Sequence, residues 1–266
     1  MDILNRSLAP IPQEAWDFID EEAREILTMY LNGRKAVDFA GPKGIDFGVV
    51  NTGRVNALEN EDVDGVDYSK RVVLPLVEVR VPFKLDKKEI ESLARGAVDV
   101  ETEPLIEAAR KVSKAEDSAI FYGLDEANIK GIISTSEMPE KKLGRDKNKL
   151  VSTIVSAIND MNDEGVDGPF NLMLGSELYN LVYELDDKGY PLINKLSNVI
   201  GGEIVNVPTL GEEGVLMSTR GDDFELIVGQ DISVGYNGQQ GDELEFFFFE
   251  TFTFRVNSPE AAVVLK

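Results

Sequence analysis

The chain contains neither cysteine nor histidine among its 266 residues. These two absences exclude disulfides, thiolate nucleophiles, Ser-His-Asp and Cys-His catalytic arrangements and the common zinc sites. Only carboxylate, lysine, serine or tyrosine chemistry, or oxygen-only binding of hard metals, remains open. Cations are also scarce: 27 Lys and Arg stand against 49 Asp and Glu, a formal net charge of −22. A phosphate backbone needs a basic footprint, so no nucleic-acid partner is expected, and the charge reads as a solvated, soluble surface. No run of about 18 apolar residues is present, so no membrane partner is expected. The start, MDILNRSLAPIPQEAW, lacks the basic and apolar regions of a signal peptide, and a cytoplasmic location is the expectation.

What is present is burial and pairing. From Leu244 to Val256 the residues alternate as a strand, with Phe246, Phe248, Phe252 and Phe254 on one face and Phe247, Phe249, Thr251, Thr253 and Arg255 on the other. A strand with aromatics on both faces must be covered twice, inside a domain or at a subunit interface. Val77 to Leu85 alternates cleanly, and Pro82 predicts an edge position. Helices are predicted from about Pro12 to Leu31, carrying Trp16, Ile19, Ala23, Ile26, Leu27 and Tyr30, and from about Thr102 to Phe121. Asp86 with Glu89 resembles a capping box opening a short helix that stops at Gly96. Between the first helix and the edge strand, the glycine-rich and acidic stretch reads as a long hairpin or an extended loop with a charged tip. The middle, about Ile129 to Leu216, alternates helices near 147–162 and 176–183 with strands at FNLML, IVNVP and GVLMS. It reads as an α+β unit inserted into a domain built from both ends of the chain.

Catalytic signals are weak. The EDVDGVD run superficially resembles a calcium loop but has the wrong ligand spacing and no closing Glu. GLDEANIKG and LSNVIGGE lack phosphate-loop spacing and fit turns and helix ends. The adjacent acids Glu116 with Asp117 and Asp222 with Asp223 carry little information among so many carboxylates.

An ordered set of segments nevertheless spans nearly the whole chain: NRSLAPI with a Trp-bearing helix, GRKAVDFAGP, LPLVEVRVPFKL, EDSAIFYG, KGIIS, EGVDGPFNLML, GQDISVGY and ETFTFRVNSPEAAVVL. Together they resemble the shell protein of encapsulin nanocompartments, the linocin-like family 1. The resemblance implies an α+β fold, that of tailed-phage major capsid proteins, with a P-domain, an A-domain and an E-loop. Its boundaries here would be 1–46 for the N-terminal helix and the start of the P-domain, 47–74 for the E-loop, and 75–128 for the P-domain. The A-domain would be 129–218, and 219–266 the C-terminal P-domain strands. It also implies a non-enzymatic protein that assembles with itself into a hollow icosahedral particle. The cargo would be a ferritin-like protein or a dye-decolorising peroxidase, enclosed for iron storage or protection from oxidative stress.

The resemblance maps further sites. A C-terminal targeting peptide of the cargo would dock on Leu27, Tyr30, Arg34 and Asp38 beside Asp231, Ile232 and Val234. The apical loop, with Glu184, Asp186, Asp187, Lys188, Gly189 and Tyr190, would line a five-fold pore. Rings of carboxylates concentrate cations, which suits Fe²⁺ entry; a solvated loop tip without a role is the competing reading. Some members bind flavin through an aromatic residue on the short helix after the edge strand. Here Lys87 or Lys88 stands at that place, so no cofactor, flavin included, is expected. The short arm before Trp16 and the modest E-loop point to the smallest shell, of about sixty subunits. A phage or prophage major capsid protein is the alternative function; a hydrolase would need a carboxylate or Ser-Lys mechanism, for which no motif is present.

Overall fold

The computed structural model describes residues 3–58, 66–144, 146–187 and 189–266. The first third contains α1 (Gln13–Tyr30), β1 (Asp38–Ala40), β2 (Val49–Leu58), β3 (Tyr68–Pro75), β4 (Val77–Asp86), α2 (Lys87–Ala94) and α3 (Glu103–Phe121). The middle continues through β5 (Gly123–Leu124), β6 (Ile129–Lys130), α4 (Ile132–Thr135), α5 (Lys147–Asp163), β7 (Phe170–Leu174) and α6 (Ser176–Glu184). It closes with β8 (Asp186–Asp187), β9 (Tyr190–Pro191), α7 (Leu192–Ile200), β10 (Gly201–Asn206) and β11 (Gly214–Ser218). Last come β12 (Phe224–Val228), β13 (Ser233–Gln240), β14 (Glu243–Val256) and β15 (Ala262–Leu265).

Local signals set these ends. The N–H groups of Asn148 and Lys149 reach the Asp146 side chain at the start of α5 (3.0 and 3.3 Å). Asp86 accepts from Lys88 N (2.7 Å) at the start of α2, but Glu89 turns away and accepts from Glu101 N (3.3 Å), so only half of the expected capping box forms. Gly123 follows α3 at φ 91°, a left-handed conformation that glycine adopts without strain.

The first sheet is organised by β14. Along one edge it pairs with β4, Glu243 facing Asp86 and Phe252 facing Val77; along the other it pairs first with β13 and then with β12, which carries β1 in parallel. Because β4 has no second partner strand, Pro82 does lie on a sheet edge. Phe246 and Phe248 pack with Trp16, Phe83 and the first half of α3, whereas Phe252 and Phe254 join a second core around the middle of the chain. Phe247 and Phe249 are also buried, with the Arg80 guanidinium 3.8 Å from the Phe247 ring centre. Both faces are therefore covered within the subunit.

The second sheet runs β10-β7-β11-β15, with β10 parallel to β7 and the other pairs antiparallel. Its last strand comes from the far end of the chain. Ala262–Leu265 falls in the segment assigned to the P-domain but pairs with β11 of the middle, because a short apolar strand is recruited by whichever buried edge is free. Helix α7 was not foreseen; Leu192, Leu196 and Ile200 form its buried stripe. Between β1 and β4 the hairpin β2–β3 projects as a two-stranded ribbon, and its tip, including most of EDVDGVD, lies outside the described residues.

Candidate functional site

The face of α1 that turns away from α3 ends beside the start of β13, and between them lies an open groove of about 610 Å³. Its apolar wall comes from Ala23, Leu27 and Leu31, four residues apart on α1 and its cap, facing Ile232, Val234 and Phe248. Charged groups flank this wall. Arg6 makes a two-pronged contact with Asp20 (3.1 and 2.6 Å) while lying over Trp16, and Arg34 pairs with Asp231 (2.9 Å). Leu27, Arg34, Asp231, Ile232 and Val234 thus come together as the sequence suggested.

Tyr30 and Asp38, the other two residues of the expected set, do not line this groove. Three residues beyond Leu27, Tyr30 turns toward α3, where its hydroxyl accepts from Arg110 Nε (3.1 Å), and it lines a separate cleft with Tyr179 and Val205. Asp38 accepts from Asp222 N (2.6 Å) and faces a polar cleft with Asn171 and Ser218. Sequence reasoning missed Ala23, Leu31 and Phe248; the spacing of Ala23, Leu27 and Leu31 was the available signal.

Behind the groove, Arg34 reaches into the subunit. Its Nε lies 2.9 Å from both oxygens of Glu116, and Nη2 meets Glu116 Oε2 at 2.5 Å and Glu250 Oε1 at 2.9 Å. Both acids are fully buried. Burial alone would lower the Arg34 pKa, but the hydrogen bond to Glu116 and the charges of Glu116, Glu250 and Asp231 raise it, so the guanidinium stays charged. Burial, reinforced by neighbouring Glu116, pushes Glu250 well above the usual carboxylate range, and its Oε2 receives no hydrogen bond. Asp117, next along α3, accepts from Gly33 N (2.8 Å); burial raises its pKa to about 7, against the lowering effect of that hydrogen bond. The pair that sequence adjacency made uninformative is therefore structural. Asp222 and Asp223 also form no acid pair, since Asp223 is buried against Arg220 (3.0 Å) and Asp222 turns at φ 66°.

Glu184 ends α6, and the apical turn closes through Asp186 facing Pro191 and Asp187 facing Tyr190. Gly189 takes φ 86° at the turn and Tyr190 is half exposed, while Lys188 lies outside the described residues. On the neighbouring surface of α6, Tyr179 donates to the Tyr183 hydroxyl (3.0 Å). Lys88, in the first turn of α2, pairs with Asp242 (2.9 Å). No helix of the described residues is long and apolar enough to cross a membrane, and no three ligating side chains among them converge to hold a metal ion.

A family model described as encapsulating protein for peroxidase matches residues 1–253. A type 1 encapsulin shell protein of Rhodospirillum rubrum is 41% identical over 273 aligned residues, covering 100% of this chain and 97% of the relative. This chain belongs to the encapsulin shell family. An encapsulin shell protein of Mycobacterium tuberculosis is 36% identical, with both chains covered completely. Among solved structures, the virus-like particle of Pyrococcus furiosus superimposes with a TM-score of 0.67 at 21% identity, over 92% of this chain and 98% of that one. The capsid protein of Myoviridae phage XM1 gives 0.57 at 12% identity, over 90% and 91%. The fold is thus the α+β fold of tailed-phage capsids, as the resemblance implied. Encapsulin shell proteins are structural components of self-assembling, capsid-like particles, and this chain is one of them rather than an enzyme.

Proposed function

We propose that this encapsulin subunit builds a closed icosahedral shell of about sixty copies in the cytoplasm and loads a cargo enzyme through the α1–β13 groove. The convergence of Leu27, Arg34, Asp231, Ile232 and Val234 on one groove carries this reading. A short peptide needs apolar surface for affinity and fixed charges for register, and the groove offers both. Such a patch is a liability on an exterior and tolerable inside a closed lumen. The cargo is a ferritin-like protein or a dye-decolorising peroxidase, serving iron storage or protection from oxidative stress; the family's description, which speaks of peroxidase, supports the second. Glu184 and the apical turn with Asp186 and Asp187 form a cation-favouring pore. Full-length identity to shell proteins favours this function over a phage capsid role, which shares only the fold.

The test is co-purification of a fluorescent protein carrying the cargo peptide, with negative-stain microscopy of the shells. Ile232→Asp places a charge against Val234 and Phe248 and abolishes loading while well-formed shells persist. Full loading of Ile232→Asp shells would place the docking site elsewhere. The pore is checked by iron uptake into cargo-loaded shells: Asp186→Asn with Asp187→Asn slows it, and an unchanged rate removes the gating role. Light scattering that finds only monomers or dimers in moderate salt would sink the closed-shell reading.

A further inference from the structure

A second groove, of about 560 Å³, lies at the base of the β2–β3 hairpin where it meets the end of β14. Val72, Leu74, Phe254, Val256 and Pro259 give it an apolar floor. Its rim carries Glu137 and three cations, of which Lys130 already pairs with Asp125 (2.8 Å) and Arg255 with Glu225. Arg54 is exposed and has no carboxylate partner among the described residues. In a chain of net charge −22, a cation without a carboxylate partner beside an apolar floor is a local reversal.

The complement lies at the other end of the subunit. In the loop between α2 and α3, Val98 is 94% exposed, the most exposed large apolar side chain among the described residues. Exposed Asp99 and Glu101 follow it, and Glu103 opens α3. This loop cannot reach the groove of its own subunit. It follows α2, which leaves the sheet at Asp86 opposite Glu243, whereas the groove contains Phe254 and Val256 at the far end of the same strand. At about 3.3 Å per residue, β14 separates the two by roughly 40 Å. An apolar knob flanked by acids and an apolar hole with a free guanidinium at its rim, at opposite ends of one molecule, suit a head-to-tail contact, the kind that propagates a closed shell.

We infer that the Val98–Glu101 loop of one subunit docks in the hairpin-base groove of a second copy, Val98 on the apolar floor and Asp99 and Glu101 against Arg54. The inference rests on the shell reading but names a contact that the reading does not require. The absence of native cysteine gives a clean test. Shells carrying Val98→Cys with Arg54→Cys, or Val98→Cys with Glu137→Cys, are mildly oxidised and run on a non-reducing gel. A disulfide needs Cα atoms within about 7 Å, so a ladder of dimers and higher species that collapses with reductant is expected for at least one pair and absent from each single variant. Intact particles without a ladder overturn the contact and leave the shell reading standing, as does a ladder from Val98→Cys alone, which would put Val98 against its own copy. Failure of the unsubstituted protein to form particles would instead overturn the shell reading. Independently, Val98→Asp lowers particle yield at least tenfold in sedimentation while the circular dichroism of the subunit is unchanged; full yield overturns the proposal.

Discussion

Arg34, Glu116 and Glu250 carry charge into the middle of the subunit, whereas the β2–β3 hairpin carries Val49, Val55, Leu58, Tyr68 and Val73 out into solvent. Each region reverses the usual sorting of side chains, and the difference lies in what answers the reversal. The buried charges are answered inside the chain, by one guanidinium that reaches both acids. They also occupy a boundary. Along α3, Leu105 to Val112 belong to the aromatic core under α1, and Ala119 to Phe121 to the core of the middle; Glu116 lies between. Along β14, Glu250 lies likewise between Phe248 and Phe252. Arg34 therefore joins two cores at the point where both are interrupted. Among the described residues the hairpin finds no such answer in its own subunit, and in the proposed shell the next copy would cover its apolar side chains.

The first way to break this comparison is to remove the answer inside. Arg34→Met leaves two acids buried without their cation and costs about 3–5 kcal/mol, read as a large fall in the melting temperature of the subunit. Arg34→Met with Glu116→Leu and Glu250→Met recovers most of that loss, since an apolar replacement of the whole cluster removes the desolvation cost. Removing apolar surface from the hairpin acts in the opposite pattern. Val55→Asp or Leu58→Asp leaves subunit melting nearly unchanged, within about 0.5 kcal/mol, but reduces particles to small species in sedimentation.

A pH series sharpens the comparison. Asp117 has its pKa raised by burial to about 7 from its ordinary 3.8, so between those values the folded state holds a proton that the unfolded state releases. Its contribution to stability is complete below about pH 4 and is lost as pH rises through 7. Asp117→Asn keeps an oxygen for the Gly33 N–H, so it matches the parent near pH 4 and exceeds it by up to a few kcal/mol above pH 7. Equal stability at both ends of the series, measured by denaturant unfolding, would show that this carboxyl is solvated. The smallest effect is expected at Arg80→Ala, which uncovers Phe247 and costs about 0.5–1 kcal/mol in the same assay.

Periodic elements were legible in the sequence. β14 and β4 show the two-residue alternation, and α1 and α3 the helical stripe, because one buried face repeats over many residues. Helix α7 was hidden by its shortness and by the glycines that follow it. The partner of β15 was not legible because Ala262–Leu265 is apolar on both faces and names no sheet. At the groove, Leu27, Arg34 and Ile232 came from resemblance, and Tyr30 failed because a step of three on α1 rotates it toward Arg110. The buried acids were the least visible. Among 49 carboxylates nothing marks the buried ones, except that Glu250 stands in the aromatic face of β14 between Phe248 and Phe252.

The place of β15 in the chain gives the subunit an order of manufacture. The ribosome delivers β7, β10 and β11 long before the strand that pairs with the open side of β11, and the whole of β14 is made in between. Until β15 arrives, the fully buried strand β11 has an unpaired edge, so the second sheet stays unfinished while the first can already form around β14. The second sheet can therefore close only after β14 has been made, since its fourth strand follows β14 in the chain.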